Sequence, residues 1–568
     1  MCGIFFYKGC LFTHDDVVKT VFGMNHRGPD NTTVVSKGDM TMVFWRLRIN
    51  DTTEAGDQPF ISDDKHYFMC NGEIYNHLEL GQHDKCKSSS DCEDLFYLLK
   101  DSKHRHRVPD MLDGVFAYVF YDDVSKEVFV ARDPYGVRGL FELTYYNING
   151  DIEKMFASEM KMLYPFYERL MKINGIKHCQ LTPFKPSTSY QFQFGTTYHY
   201  LDTYFRLPDI HKNIFLSKYM TSEMNEEMMM LKIREMFENG VRKRVMMSDR
   251  EVGCFLSGGL DSSLVAGYAM KIRKELGHNE KFHTFSIGFP NSPDLYYARK
   301  VAEHIGSCHH EVVVGKDEIL SYLPEIVRTG ETVDITTIRA STWMYALSKY
   351  ISKNTNVVVV LSGEGSDELT QGYLYFKNAP DADSADEESK RLLKELYYYD
   401  VLRADRMTAA HGLEVRVPFL DKEFTRFYLS IPSDMRYVRN GVEKYLLRKA
   451  FSGYDIIPEE IVWRKKEAFS DGVSLQTESW HTIIQNYVYQ FRSEMEDMEI
   501  QDKGPVPQTD EARFIYYHFL KNYGMYPIYL NTPKYWLPQW VKYKNGVIDP
   551  SARTIDAYET KDGEDKKQ

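Results

Sequence analysis

The stretch "LSGGLDSS" (256–263) decides how this chain is read. It follows the apolar run "EVGCFL" (251–256) and leads into "SSLVAGYAMKIRKEL" (262–276), which has helical character. A strand, a glycine-rich loop and a helix therefore meet within a few residues. Gly258 and Gly259 let the backbone approach a phosphate closely. The helix N-terminus offers unpaired N–H groups and the positive end of a dipole. Ser257, Ser262 and Ser263 add hydroxyl donors, and Asp261 is suited to holding Mg²⁺ against phosphates. The pattern GxxxxGK[ST] occurs nowhere, so this is a phosphate loop of another kind than Walker A.

Outward from that loop the chain alternates. "EEMMMLKIREMFENGVRKRV" (226–245) reads as a helix, "KFHTFSIGF" (281–289) as a strand, "YYARKVAEHIG" (296–306) as a helix and "HEVVV" (310–314) as a strand. Another helix begins near Thr336 and the buried strand "VVVVL" (357–361) follows it. Such alternation predicts an α/β unit with a parallel sheet covered on both faces. "VVVVLSGEGSDE" (357–368) repeats the strand-then-loop arrangement, now with Glu364, Asp367 and Glu368. Two carboxylate-bearing loops after parallel strands belong at the C-terminal edge of an open sheet. Asp261 and Asp367 are the expected Mg²⁺ carboxylates, because Mg²⁺ takes one or two carboxylates plus substrate phosphates. From about 390 the chain reads as mostly helical.

The first 185 residues differ. "MTMVFW" (40–45), "HYFMC" (66–70), "VFAYVFYD" (115–122) and "EVFVARD" (127–133) are short, rich in β-branched and aromatic residues, and bounded by Asp, Asn and Gly. They predict an antiparallel, sheet-rich α+β domain. The chain opens "MCGIFFYKG". Loss of Met1 would leave Cys2 with a thiol nucleophile and a free α-amine a few bonds away. The amine, with an ordinary pKa of about 7.7–8.0, is suited to act as its general base.

Bulk properties narrow the classes. The 568 residues fit two to four domains. A net charge of -12 excludes a broad nucleic-acid or anionic-membrane surface. The 8 cysteines include no CxxC pair, the usual spacing of a zinc or redox site. The N-terminus lacks the signature of a secretory signal and no run of about 18 apolar residues occurs. A cytoplasmic chain with reduced thiols, and no membrane or nucleic-acid partner, is the expectation.

"SGGLDSS" resembles the pyrophosphate loop of the ATP-pyrophosphatase superfamily. "ETVDITTIRASTWMY" (331–345), "HGLEVRVPFLD" (411–421) and "WRKKEAFSDG" (463–472) resemble the glutamine-hydrolysing asparagine synthetases. "MCGI", "HRGPD" (26–30), "RLRIND" (46–51), "NGEIYN" (71–76) and "SDCE" (90–93) are similar to the class II glutamine amidotransferase domain, an N-terminal-nucleophile fold of two antiparallel sheets between helix layers. The resemblance runs from residue 2 to about 530. It implies a glutaminase domain at 2–187, a linker at 188–225, a synthetase domain at 226–535 and a C-terminal extension at 536–568. The last residues, "TKDGEDKKQ", read as a disordered tail.

The resemblance also implies roles. Cys2 would be the nucleophile, with the Asn71 side chain and the Gly72 N–H as oxyanion donors. Arg46 would pair with the glutamine α-carboxylate and Asp91 with its α-ammonium, Glu73 lying in the same pocket. Leu47, Arg48, Ile49 and Asn50 would complete the cradle. Leu256, Ser257, Gly258, Gly259, Asp261, Ser262, Ile287, Ser362 and Gly363 would bind ATP. Thr336, Thr337 and Arg339 would line the aspartate and adenylate pocket. Glu364 would act on the attacking ammonia and Lys466 on the departing pyrophosphate, with Arg339 also offsetting phosphate charge. The implied substrates are ATP, aspartate and glutamine, the implied products asparagine, glutamate, AMP and diphosphate, and the implied assembly a homodimer. Three other readings stay open: amidation of a different carboxylate on the same fold, a β-lactam-forming relative, and a catalytically silent binding protein. Two departures from the family pattern stand out, Trp45 before Arg46 and Leu369–Gln371 before Gly372.

Overall fold

A computed structural model describes residues 1–542 except 64, 102, 195–198, 209–223, 468–471, 475–477, 525 and 527. Part of the expected linker at 188–225, part of the "WRKKEAFSDG" stretch and the charged tail therefore lie outside the described residues.

The N-terminal unit has strands Gly3–Lys8 (β1), Asn31–Lys37 (β2), Met40–Arg46 (β3), Phe60–Ser62 (β4), His66–Ile74 (β5) and Gly114–Asp122 (β6). Glu127–Arg132 (β7), Phe141–Tyr146 (β8), Ile152–Ala157 (β9), Lys177–Pro183 (β10), Thr188–Gln193 (β11) and His199–Thr203 (β12) complete it. They form two six-stranded sheets, ordered β10-β8-β9-β1-β3-β2 and β12-β11-β7-β6-β5-β4. The period-two pattern of each strand explains the layering. Ile4 and Phe6 of β1 meet Met69, Val119 and Val130 between the sheets. Phe5, Tyr7 and Trp45 face outward, with Val17 of helix His14–Val21 (α1) and Leu163 and Phe166 of Met160–Leu170 (α3). Phe68, Cys70 and Phe116 face Leu95, Phe96 and Leu99 of Asp91–Asp101 (α2). Two antiparallel sheets lie between helix layers, as expected.

The expected linker begins too early. Residues 188–193 and 199–203 are sheet strands, paired through Tyr190↔Val130 and Tyr190↔Leu201. At a sheet edge the backbone ladder holds β12 while its side chains stay mostly exposed, so it carries no apolar alternation to read.

The C-terminal unit contains Glu251–Phe255 (β13), His283–Gly288 (β14), Cys308–Val313 (β15), Val357–Leu361 (β16) and Glu414–Arg416 (β17). All pairs are parallel, in the order β15-β14-β13-β16-β17. The helices include Glu226–Met246 (α4), Leu260–Glu275 (α5), Pro293–Ile305 (α6), Ile335–Asn354 (α7), Asp400–Ala409 (α8), Tyr445–Phe451 (α9) and Asp510–Tyr523 (α10). After β13 the chain adds strands on one side, then returns to place β16 on the other. The switch point lies between β13 and β16, where a doubly wound sheet opens its ligand crevice.

The two units share one apolar core, which runs from Phe5 and Trp45 to Leu361 and Val415. Buried ion pairs also cross it. Arg27 forks Asp405 of α8 at 2.8 and 2.9 Å and reaches Glu159 at 2.7 Å. Glu331 accepts the N–H groups of Met160 and Lys161 at the start of α3 and pairs with Arg406 at 3.0 Å.

Candidate active sites

The first site is built on β1, β3 and β5. Cys2 lies just before β1, and its Sγ sits 3.4 Å from the Leu47 N–H just after β3. Burial pushes the Cys2 thiol up to about 11, so it needs a base at hand to become a thiolate. The α-amine in this chain belongs to Met1. It is buried, donates to the Leu413 carbonyl at 3.2 Å, and is pushed down to about 5 chiefly by burial. At neutral pH that amine carries a free lone pair, but the lowered pKa makes it a weaker base than an ordinary α-amine.

Asn71, in the middle of β5, is fully buried, and neither its Oδ1 nor its Nδ2 has a hydrogen-bond partner. A buried amide left unpaired costs about 1–3 kcal/mol, and a ligand that accepts from it recovers that cost. Gly72 follows because its neighbour strand is too close for a side chain: a Cβ would lie 2.4 Å from the Val115 carbonyl. Asn50 donates to Glu73 at 2.5 Å and to Asp91 at 3.3 Å, which gathers three of the expected cradle residues. Asp91 also accepts the Ile74 N–H at 2.6 Å, and burial raises its pKa.

Several cradle residues have partners that the sequence did not suggest. Arg46 is engaged with Asp57 at 2.5 Å and with the Thr53 carbonyl at 2.6 Å, so a ligand carboxylate must share or displace Asp57. Arg48 also reaches Asp57, at 3.1 Å, and Ile49 receives the Asp249 N–H through its carbonyl. Glu73 pairs with Arg416 of β17 at 3.1 Å, and Arg416 holds Glu414 at 2.8 Å. Trp45, the departure behind Arg46, is fully buried on the outer face of its sheet and leaves the Arg46 guanidinium free to reach the 51–57 loop.

The second site is the crevice at the β13–β16 switch point, a cavity of about 250 Å³. Leu256, Ile287, Phe285, Met344 and Leu347 supply apolar walls. Ser257, Gly259, Asp261, Ser262, Ser362, Gly363, Glu364 and Asp367 come from the two loops, Thr336, Thr337 and Arg339 from α7, and Lys466 from the far segment. Gly258 is the exception: a Cβ there would lie 2.4 Å from the Ala298 N, so it seats the loop on α6, with φ +71°, rather than lining the cavity. Thr336 Oγ1 is buried without a partner, a polar atom available to a ligand.

The charges are tightly organised. Lys444 Nζ lies between the two acidic loops, 2.7 and 2.8 Å from Asp261 and 2.6 Å from Asp367. Lys466 Nζ lies 2.6 Å from Asp367 and 4.0 Å from Asp261. These ammonium groups hold Asp367 far below the usual carboxylate range against the opposing effect of burial. Gly372 is required here, because a Cβ would fall 1.9 Å from Lys444 Cε. The unusual Leu369–Gln371 segment accommodates this: Leu369 is buried and Gln371 turns the chain at φ +59°. Glu364 pairs with Arg403 of α8 at 2.7 Å, yet burial raises its pKa above the ordinary value.

Arg339 lines the cavity as a paired cation. Its guanidinium forks the buried Glu511 of α10 at 2.8 and 2.6 Å, so its charge is already compensated within the protein. Lys444, Lys466, Arg403 and Arg464 also line the cavity, and each is likewise ion-paired: Lys444 with Asp261 and Asp367, Lys466 with Asp367, Arg403 with Glu364 and Arg464 with Asp294. Lys444 and Arg403 escaped the sequence reading because neither lies in a glycine-rich or acidic loop. Lys444 approaches a loop about 180 residues away in sequence. The strand–loop pattern at 357–368 announces a site but not who reaches into it.

A family described as "Asparagine synthase" matches residues 232–385 and 377–522, and one described as "Glutamine amidotransferase domain" matches residues 1–193. The chain is similar to proteins named asparagine synthetase [glutamine-hydrolyzing]. It is 41% identical to that of Gallus gallus over 579 residues, 42% to that of Mus musculus over 582, and 41% to that of Homo sapiens over 579. In each case 99% of both chains is covered.

Proposed function

The chain belongs to the family of glutamine-hydrolysing asparagine synthetases, and from that premise we propose that it makes asparagine from aspartate, ATP and glutamine, with glutamate, AMP and diphosphate as the other products. The glutaminase unit would comprise the two antiparallel sheets through β12, and the synthetase unit residues 226–535.

In the first half-reaction the Cys2 thiol, deprotonated by the α-amine that Met1 removal places on Cys2, attacks the glutamine side-chain carbonyl. The orphaned Asn71 amide and the Gly72 N–H receive the oxyanion; one such donor is worth about 2.7–4 kcal/mol. The amine returns the proton to the leaving nitrogen, ammonia departs, and water releases glutamate from the thioester. Arg46, with Asp57 giving way, holds the substrate carboxylate, and Asp91 its ammonium. Leu47, Arg48, Ile49 and Asn50 shape the cradle.

In the second half-reaction the aspartate side-chain carboxylate attacks the α-phosphorus of ATP and diphosphate leaves. Adenylation is needed because a carboxylate oxygen is otherwise too poor a leaving group. Ammonia then attacks the acyl carbon, Glu364 takes its proton, and AMP departs. The raised pKa of Glu364 suits it to that role. Lys466 and Lys444 face the phosphates. Asp261, Asp367 and the Ser366 hydroxyl, which donates to Asp261 at 2.8 Å, form a hard oxygen donor set that fits Mg²⁺. Asp261 and Asp367 would hold the ion once Lys444 turns to the phosphates. Bound there, Mg²⁺ would offset phosphate charge and favour diphosphate departure.

The observation that carries this reading is how close β17 brings the two sites. Arg416 of β17 touches both: its guanidinium pairs with Glu73 of the first site at 3.1 Å, and its carbonyl receives the Ser362 N–H of the acidic loop at 2.9 Å. Ammonia released at Cys2 would pass along this buried strand and stay unprotonated. Among the described residues no helix is long and apolar enough to cross a membrane. A cytoplasmic homodimer is the setting proposed. Purified protein should convert ATP to AMP while forming asparagine; ADP as the nucleotide product would sink the proposal. Cys2→Ala should abolish synthesis from glutamine and keep synthesis from added ammonia. A panel of other carboxylates in place of aspartate separates the remaining readings.

A further inference from the structure

At the outer edge of the parallel sheet, β14 and β15 pair with His283 opposite Cys308 and Phe285 opposite His310. Strand alternation sends Thr284, Ser286 and His309 to one face and His283, Phe285, Cys308 and His310 to the other. The contacts agree. His309 bonds Thr284 at 2.9 Å and Ser286 at 3.0 Å, while the His310 ring stacks on Phe285 with centroids 4.8 Å apart. On the second face, His283 Nδ1 and His310 Nε2 approach to 2.8 Å, and the Cys308 thiol sulfur lies within 4.8 Å of both. The cluster is at the strand starts, the opposite edge from the nucleotide crevice.

Three features make this a ligand set rather than a histidine pair. The donors are two imidazole nitrogens and a thiol, the borderline-soft combination that suits zinc. The Tyr350 hydroxyl of α7 lies 3.4 Å from His310 Nδ1, the outer partner that fixes a ligating ring with Nε2 inward. All three ligands are half-buried, which leaves an entry path. Tetrahedral zinc, with bonds of about 2.0–2.1 Å to nitrogen and 2.3 Å to sulfur, would set the donors about 3.3–3.6 Å apart, so closure needs movements of about 1 Å.

We propose that His283, Cys308 and His310 bind one Zn²⁺ ion, with water in the fourth position, and that the ion staples the edge strand β15 to β14. The ligands come from two strands, 25 residues apart at the nearest, so no CxxC-type spacing advertises them. The second His-rich cluster, His77, His83 and Asp94, has no thiol, and its His77–Asp94 contact at 2.9 Å is an imidazole–carboxylate pair.

The test uses the full chain, stripped with a chelator, kept reduced and titrated with Co²⁺ as a probe for Zn²⁺. One equivalent should give a thiolate-to-cobalt charge-transfer band, bleached by one equivalent of Zn²⁺. The band should survive Cys2→Ala and Cys86→Ser and vanish in Cys308→Ser. His283→Ala and His310→Ala should each weaken cobalt binding by more than the roughly 10–100-fold that loss of an outer partner costs, and Tyr350→Phe by about 10-fold. Zn²⁺ should raise the melting temperature of the wild type and not of Cys308→Ser, whose metal-free fold is checked by circular dichroism. Absence of the band in the wild type, its persistence in Cys308→Ser, or cobalt binding without thiolate character would each overturn the proposal.

Discussion

Asn71 shows what one residue contributes. Its amide is buried and unpaired, on a stretch of β5 whose backbone is held by β6 through the pair Asn71↔Ala117. A group kept desolvated and aimed costs little reorganisation when the oxyanion forms. Asn71→Ala should therefore lower the glutaminase kcat by roughly 10²–10³-fold while asparagine formation from added ammonia is unchanged. Steady-state assays with glutamine and with ammonium salts check both halves; an equal fall in both would remove Asn71 from the oxyanion site. The family resemblance carried by "NGEIYN" (71–76) was sufficient to propose this residue, because the proposed role needs only its own strand. It was insufficient for Lys444, whose role depends on a fold that brings residue 444 to residues 261 and 367.

At the scale of the element, α7 carries the pocket threonines. Asp334 caps it, accepting the Thr337 N–H at 2.7 Å, and also receives the Trp536 N–H at 2.6 Å. The cap thus fixes the angle at which Thr336 and Thr337 enter the crevice. Asp334→Ala should cost about 0.5–2 kcal/mol of stability and raise the KM for aspartate more than it lowers kcat for glutamine hydrolysis. Thermal melts and separate half-reaction kinetics measure these effects. The helix, its start near Thr336 and the strands on either side were legible from their apolar runs. β17 was not: three residues are too few for a period, and only pairing with β16 makes them a strand. For a similar reason β12 read as linker.

Across the whole molecule, the Arg27–Asp405 fork ties the N-terminal sheet to α8. Removing one partner of a buried pair typically costs about 3–5 kcal/mol. Asp405→Ala should lower the melting temperature and uncouple the halves, so that glutamate forms in excess of asparagine when glutamine is the donor; the product ratio measures it. Acid stability is a second global property. Burial, with Lys349 and Lys353, holds His411 down to about 4, with Glu325 acting the other way. Its ring packs on Tyr345 at 4.5 Å, and its Nε2 is buried without a partner. Because the folded value lies below the ordinary 6.5, the stability that neutral His411 confers is complete above pH 6.5 and is lost as pH falls toward 4. His411→Gln should therefore flatten the fall in melting temperature over that window, read by calorimetry at several pH values.

The sequence by itself determined the two kinds of sheet, their order along the chain and the two strand-then-loop segments rich in glycine and carboxylates, while the glutamine cradle was implied only by the family resemblance. Those features are written locally, in side-chain period and in glycine, carboxylate and cysteine placement. Only the tertiary structure decided which charges remain available. It assigned Arg339 to Glu511, Arg46 to Asp57 and Lys444 to the paired aspartates, because a buried ion takes whichever partner the fold brings nearest. It also decided that a three-residue strand should join the two sites, and that two histidines and a cysteine should converge at the sheet's edge. Both depend on pairing between strands distant in sequence, which no local pattern encodes.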